Sequence, residues 1–178
     1  NTYTGTTTIS GTSTLQIGDI VSGAANTGTL GTGAVTNNAT LTFNRTNDLI
    51  ILNAISGSGV LKQVGTGILT LSGVNIYAGG TTVSAGTLLT TKAAALSGYG
   101  SAGKVVFGGG TVGVQVGGSG WTTGEVDTLL TNATKTSGAL GIDTTNGNLT
   151  QWIAFTTTNF GAALGLTKLG AGTLTLNL

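Results

Sequence analysis

Residues 57–89 read GSGVLKQVGTGILTLSGVNIYAGGTTVSAGTLL and carry the clearest strand pattern of the chain. Apolar residues alternate with Thr or Gly through residues 67–71 and again through 81–88, which is the period of a strand with one buried face. Gly and Asn residues separate the two runs, as they do in turns. The stretch therefore predicts short strands joined by turns, with Leu69, Leu71, Val83 and Leu88 pointing into a core.

Parts of this stretch recur at both ends of the chain. Residues 165–178, GLTKLGAGTLTLNL, repeat its first half, and residues 1–18, NTYTGTTTISGTSTLQIG, repeat its second half. Leu174 and Leu176 are thus expected to point inward like Leu69 and Leu71, and Tyr3 is expected to stack in one ladder with Tyr77. Internal repeats, with strands spaced by about 8 to 12 residues, favour a solenoid over a sandwich or a barrel.

The repeated stretch resembles the autotransporter-associated β-strand repeat, also called the passenger-associated transport repeat. The residues that follow its pattern are Leu61, Gly65, Gly67, Leu69, Leu71, Ser72, Gly73, Asn75, Tyr77, Gly79, Thr82, Val83, Gly86, Thr87 and Leu88. Where the repeat usually has Lys, the central copy has Gln63 and the C-terminal copy has Lys168. Residues 96–159 resemble the spacer between such repeats. The resemblance implies a right-handed parallel β-helix that is exported to the bacterial cell surface, with no enzymatic activity in the repeat.

We expect an all-β fold, a single β-solenoid domain over residues 1–178. A rung, meaning one circuit of the solenoid, of about 20 residues would give roughly nine rungs and a rod about 40 Å long. The unbroken apolar run 49–52 predicts a strand that is covered on both faces.

The spacer contains one helical pattern, near residues 122–131. Thr122 precedes Glu125 by three residues, which is the spacing of a capping box, and Val126, Leu129 and Leu130 share one face. We expect one or two helical turns that pack these residues, together with Trp121, against the rod. The alternative is an insertion that contacts a ligand, because insertions in solenoids often form binding faces.

The composition argues against most kinds of chemistry. The chain has no Cys and no His, so it offers no catalytic nucleophile with an obvious base and no transition-metal cluster. Of its five acidic residues only Glu125 and Asp127 are close, and two positions apart on a helix their side chains diverge. The glycine-rich residues 107–120 lack the Gly-Lys-Ser/Thr ending of a phosphate loop and indicate turns. We therefore predict no catalytic residue, no cofactor and no metal.

The charge of the chain also limits its partners. A net charge of +1 without a basic cluster argues against nucleic-acid binding, and no apolar run is long enough for membrane insertion of this segment. Two function classes remain: a rigid extracellular rod, with or without an adhesive role, or a module that binds glycans or a host surface. The aromatic residues Trp152, Phe155 and Phe160 suggest either a contact patch or cover for one edge of the core.

The two ends suggest self-association. Written against a second N-terminus, residues 170–178 restore the central motif, because each end supplies the half that the other lacks. We therefore expect copies to stack head to tail, as tandem repeats or as separate subunits, through Asn1, Tyr3, Leu174, Leu176 and Leu178. Because the chain starts inside a motif and not with Met, we expect a processed chain or part of a longer protein.

Overall fold

The computed structural model describes residues 2–19, 28–151 and 160–176. In these ranges the chain is a β-solenoid of about six rungs, and the strands pair in parallel throughout. The strands are β1 (Thr7–Ile9), β2 (Thr14–Ile17), β3 (Val35–Asn37), β4 (Thr40–Phe43), β5 (Leu49–Ile51), β6 (Ile55–Ser56), β7 (Val60–Gln63), β8 (Ile68–Leu71), β9 (Thr81–Val83), β10 (Thr87–Thr90), β11 (Val105–Gln115), β12 (Thr134–Asp143), β13 (Leu149–Gln151), β14 (Gly165–Leu169) and β15 (Leu174–Leu176). One α-helix, α1 (Thr123–Asn132), and a 3-10 helix, Ala93–Ala95, complete the described elements. The all-β solenoid fold with one helix is confirmed.

The strands form three ladders, which we call the first, second and third faces. The first face contains β2, β4, β7, β9 and the first parts of β11 and β12. The second face contains β5, β8, β10, the second parts of β11 and β12, and β14. The third face contains β1, β3 and β6, then α1, and finally β13 and β15. β11 and β12 run from the first face to the second, with a break in register between Phe107 and Thr111.

The length of a rung varies along the solenoid. In the centre Leu41 pairs with Leu61, and Leu61 pairs with Thr81, so one rung takes 20 residues. Farther on, Thr81 pairs with Val105, and Val106 pairs with Thr134, because the 3-10 helix and then α1 lie within these rungs. The prediction of roughly nine rungs is therefore wrong. The spacer adds long rungs instead of more rungs.

Inward-pointing side chains stack into columns that form the core. On the second face Leu69, Leu88, Val112 and Leu140 follow one another in register, each at most 2% exposed. Leu71 and Val83 are also fully buried, so the predicted core of the central motif is confirmed. Burial of such a side chain stabilises the fold by about 1.5–3 kcal/mol.

The apolar run 49–52 behaves differently from the prediction. Ile51 is 2% exposed, but Ile50 and Leu52 are 63% and 74% exposed. The strand is therefore not covered on both faces. A solenoid rung has one interior side only, so every second residue of a strand points outward even where the sequence is apolar throughout.

The predicted helix is present and is longer than expected. Thr122 caps it, with its side chain accepting from the Glu125 backbone N–H and the Glu125 side chain accepting from the Thr122 backbone, which confirms the capping box. Val126, Leu129 and Leu130 are fully buried. The ring of Trp121 meets Tyr99 edge to face at 5.0 Å, and its indole N–H donates to Thr90 Oγ1 at 3.1 Å. The helix thus lies on the third face in place of a strand.

Asparagine side chains connect rungs where they leave the second face. Asn75 is 5% exposed; its Oδ1 accepts from Ile55 N at 2.9 Å and its Nδ2 donates to Ala95 O at 2.7 Å. Ile55 lies one rung before Asn75 and Ala95 one rung after it. One amide therefore joins three successive rungs, which gives the Asn of the motif its physical role.

Tyr77 and Tyr3 each make the same local hydrogen bond, but they do not stack in one ladder. Tyr77 OH lies 2.6 Å from Thr81 Oγ1, and Tyr3 OH lies 2.5 Å from Thr7 Oγ1. The Ser97 hydroxyl donates to the Tyr77 carbonyl, whereas the Thr32 backbone N–H donates to the Tyr3 carbonyl. The predicted stack of the two tyrosines is therefore wrong, because they lie in distant rungs, with Tyr77 buried and Tyr3 40% exposed.

Replacing Asn75 by Ala removes both cross-rung hydrogen bonds and leaves the Ile55 N–H and the Ala95 carbonyl without this partner. We expect a loss of roughly 2–4 kcal/mol in the free energy of unfolding, measured by urea denaturation. Asn146→Ala is the control, because Asn146 is exposed on a turn; equal destabilisation by both variants would contradict the bridging role.

Alkali should weaken the fold through Tyr77. Burial raises the pKa of Tyr77 from 10.0 to about 12, an effect that the Thr81 hydrogen bond only partly offsets. Because the pKa is higher in the folded state, this stabilisation is present below pH 10 and is lost as pH rises to about 12, by roughly 2–3 kcal/mol. Tyr77→Phe should show a flatter pH dependence of unfolding in this window, and an unchanged slope would contradict the assignment.

Candidate self-association surface at the C-terminal end of the solenoid

The last described rung leaves apolar side chains uncovered. β14 pairs only with β12, and β15 pairs only with β13, in the part of the chain that the structure describes. Leu166 is 36% exposed, although Leu140, the residue with which it pairs one rung earlier, is fully buried. Leu176 is 43% exposed and Leu174 is half-buried. This end therefore presents both open strand edges and an open core.

The expectation that both C-terminal leucines point into the core is only partly correct. Leu174 packs against the core, whereas Leu176 is exposed because no described strand lies beyond β15. Both belong to the predicted self-association set. Tyr3, at the opposite end, is also accessible, and Asn1 and Leu178 lie outside the described residues. The structure thus places the described members of the set at the two ends of the solenoid.

The Lys position of the motif has a structural explanation. In the central copy Gln63 is 2% exposed and its Nε2 donates to the turn carbonyls of Gly65, at 2.8 Å, and Gly67, at 3.2 Å. In the C-terminal copy Lys168 donates from Nζ to Leu169 O at 3.2 Å and to Gly170 O at 2.5 Å. What the two residues share is an N–H donor for the turn that follows the strand, so a positive charge is not required.

Asp143 anchors the turn beneath this last rung. Its Oδ1 accepts from Thr145 N at 2.9 Å and from Thr145 Oγ1 at 2.6 Å, and its Oδ2 accepts from Gln115 Nε2 at 3.0 Å. Burial raises the pKa of Asp143, but these hydrogen bonds and the charge of Lys168 together outweigh it, so the pKa lies below its usual value. Structural contacts therefore favour the ionised carboxylate.

The N-terminal end differs in how much apolar surface it exposes. β1 pairs only with β3, and β2 pairs only with β4, so within the described ranges both strands have one open edge. Their inward residues Ile9 and Ile17 are nevertheless only 4% and 6% exposed. Open backbone edges occur at both ends, whereas the exposed core residues lie mainly at the C-terminal end.

Copies of the motif occupy different faces. In the central copy β7, β8 and β9 lie on the first, second and again the first face. Their C-terminal counterparts β14 and β15 lie on the second and third faces, and their N-terminal counterpart β1 lies on the third. Each terminal copy is therefore displaced from the central copy by one face, which sequence comparison alone does not reveal.

Three acidic side chains in the described ranges accept hydrogen bonds that stabilise the local backbone. Asp48 accepts from Ile68 N at 3.1 Å, Glu125 completes the capping box, and Asp143 holds its turn. No group of three or more His, Cys, Asp or Glu residues is placed to hold a metal ion in residues 2–19, 28–151 and 160–176.

A groove and the exposed aromatic residues offer little further chemistry. The groove has a volume of about 270 Å³ and no ionisable lining residue; it is lined by Thr29, Leu30, Gly31, Thr32, Ile50, Leu52 and Asn53. Tyr3 is the one aromatic side chain that is strongly exposed within the described part. Trp152 and Phe155 lie outside that part, and Phe160 is 9% exposed. The described helix is too short to cross a membrane.

The comparisons with known proteins support the repeat assignment. The family model described as Passenger-associated-transport-repeat matches residues 61–89 and 166–177. These segments contain β8, β9 and β10 of the central motif and most of β14 and β15 of the last rung. Searches of curated proteins and of solved structures gave no match. Two segments of this parallel β-solenoid thus match the passenger-associated transport repeat.

Proposed function

We propose that this chain is a non-enzymatic rod module of an autotransporter passenger, displayed at the bacterial cell surface and extended end to end by further copies. The observation that carries the proposal is the open C-terminal rung, where residues of a matched repeat are exposed at positions that are buried one rung earlier.

The rod itself is suited to an extracellular role. Its rungs are joined by backbone ladders along three faces, so stiffness arises from contacts between neighbours and not from a single large core. Outward positions carry many hydroxyl groups, such as Thr8, Thr36 and Thr82, and few charges. Such a surface is compatible with exposure to salt of varying concentration, since few surface ion pairs are available to be screened.

Extension at the ends is favoured because an open end of a solenoid leaves backbone hydrogen-bonding groups unpaired. A parallel strand with a free edge exposes unpaired N–H and C=O groups and invites pairing with another strand. β14 and β15 combine such edges with exposed Leu166 and Leu176. A heterologous contact between one end and the other does not close on itself, so it produces a filament or a stalk.

The glycan-binding alternative gains no specific support. The helix that was considered as a ligand-contacting insertion buries Val126, Leu129 and Leu130 against the solenoid. Trp121 is 2% exposed and so cannot serve as a stacking platform for a sugar ring. An adhesive role stays a hypothesis that binding to a glycan array would test.

Self-association should depend on the open end. Light scattering at rising concentration should show masses above the 17.3 kDa of one chain, and Leu176→Asp should shift the protein toward monomer because a charge in the contact is costly. Ile76→Asp is the matched control, because Ile76 is a 71% exposed apolar residue on the side of the rod. A wild-type protein that stays monomeric, or equal disruption by both variants, would contradict end-to-end extension.

Catalysis is not expected. The purified chain should release no product from polyuronates or neutral glycans, because the acidic residues Asp48, Glu125 and Asp143 are engaged in structural hydrogen bonds. Reproducible cleavage that is lost in Asp143→Asn, in a variant that still melts cooperatively, would overturn this part of the proposal.

A further inference from the structure

The central motif shows how two halves of the repeat pair with each other. β7 pairs with β9, with Leu61 opposite Thr81 and Gln63 opposite Val83. β8 pairs with β10, with Leu69 opposite Leu88 and Leu71 opposite Thr90. The second half of one repeat therefore lies directly on its own first half, one rung later.

Both terminal copies lack the half with which they would pair. β14 and β15 correspond in sequence to β7 and β8, and each has one described neighbour only. β1 corresponds to β9, and β2, like β10, follows after a turn that contains a positive-φ glycine, Gly11 in one case and Gly86 in the other. β1 and β2 also have one described neighbour each.

We propose that β1 and β2 of a second copy of this chain pair with β14 and β15, and that this copy is rotated by one face about the rod axis. The proposal rests on the end-to-end extension proposed above and adds its geometry. Rotation is required because β14 lies on the second face but β1 on the third, and β15 lies on the third face but β2 on the first.

The register of the contact follows from the central motif. Leu166 would lie opposite Thr7 of the second copy, Lys168 opposite Ile9, and Leu176 opposite Ile17, by equivalence with the pairs of β7 with β9 and β8 with β10. Leu166 would then lie against Thr7, as Leu61 lies against Thr81, and the exposed Leu176 would lie against Ile17, an inward residue that is 6% exposed in the single copy. Lys168 keeps its carbonyl partners when it is covered, as Gln63 does in the centre.

The third element of the motif is displaced in the same direction. The Tyr77 segment lies at the start of the third face, in contact with Ser97 of the next rung, and is 1% exposed. Tyr3 occupies the equivalent motif position one face earlier, and 40% of it is exposed. In the rotated stack Tyr3 of the second copy follows β15 of the first copy around the rod, as Tyr77 follows β8 in the centre. All three segments thus require the same rotation.

A rotated stack has a visible consequence. The helix α1 lies on the third face of each copy, so in successive copies it would appear on successive sides of the filament. With three faces, each copy turns by roughly a third of a circuit in addition to the intrinsic twist of the ladders.

Disulfide trapping between copies tests the geometry, because the chain has no native cysteine. One protein carries Thr8→Cys and a second, distinguished by a tag of different length, carries Thr167→Cys or Thr175→Cys. Thr8 points outward on β1, and the three positions are at least partly exposed. In the rotated stack Thr8 lies opposite Thr167, as Thr82 lies opposite Lys62; in an unrotated stack β1 would lie on β15, with Thr8 opposite Thr175.

The expected result is a mixed disulfide of Thr8→Cys with Thr167→Cys that forms at least about tenfold faster than the mixed disulfide with Thr175→Cys, since proximity sets the effective concentration of the thiols. Faster trapping of Thr175→Cys would overturn the rotation while leaving end-to-end stacking intact. Equal, slow trapping of both pairs in a protein that light scattering shows to be monomeric would overturn the stacking itself. Leu176→Asp in the tagged partner should abolish trapping in either geometry.

Discussion

Parallel hydrogen bonding between successive rungs holds the short strands of this solenoid together. A strand of three to five residues is too short to be stable alone, but β3, β4, β7, β8, β9 and β10 each pair with a strand on both sides. The spacing between rungs, about 4.8 Å, brings like positions into columns. Side chains that point inward therefore need to fit only the residues directly above and below, as in the column from Leu69 to Leu140.

This dependence on neighbours explains how one motif can occupy different faces. The contacts that define the motif are local, such as Tyr77 with Thr81 or Gln63 with Gly65, and they reappear as Tyr3 with Thr7 and Lys168 with Gly170. None of them depends on which face carries the strand. Insertion of α1 and of the longer spacer rungs changes the number of residues per circuit after the central copy, so the C-terminal copy falls one face later. The N-terminal copy, which precedes the spacer, falls one face earlier.

The sequence predicts the fold through its period and its repeat. Alternation in 67–71 and 81–88 correctly gives the buried Leu69, Leu71, Val83 and Leu88, and the spacing of Thr122 and Glu125 gives the helix. The number of rungs and the face that each copy occupies could not be predicted, because both depend on how many residues each circuit takes. The exposure of Ile50 and Leu52 also escaped prediction, since an apolar run does not show which side of a strand is covered. The open end at Leu176 becomes apparent only when its register position is known.

Motif copies are offset by one face while their local structure is kept. Pulsed or continuous-wave electron paramagnetic resonance on paired spin labels can measure this offset. Labels at Thr8 and Thr36, which are paired across adjacent rungs, should give the short distance expected for neighbouring strands. Labels at Thr8 and Lys62, which lie on the third and first faces, should give a clearly longer one. A shorter distance for the Thr8–Lys62 pair would place the N-terminal copy on the same face as the central copy and would contradict the offset.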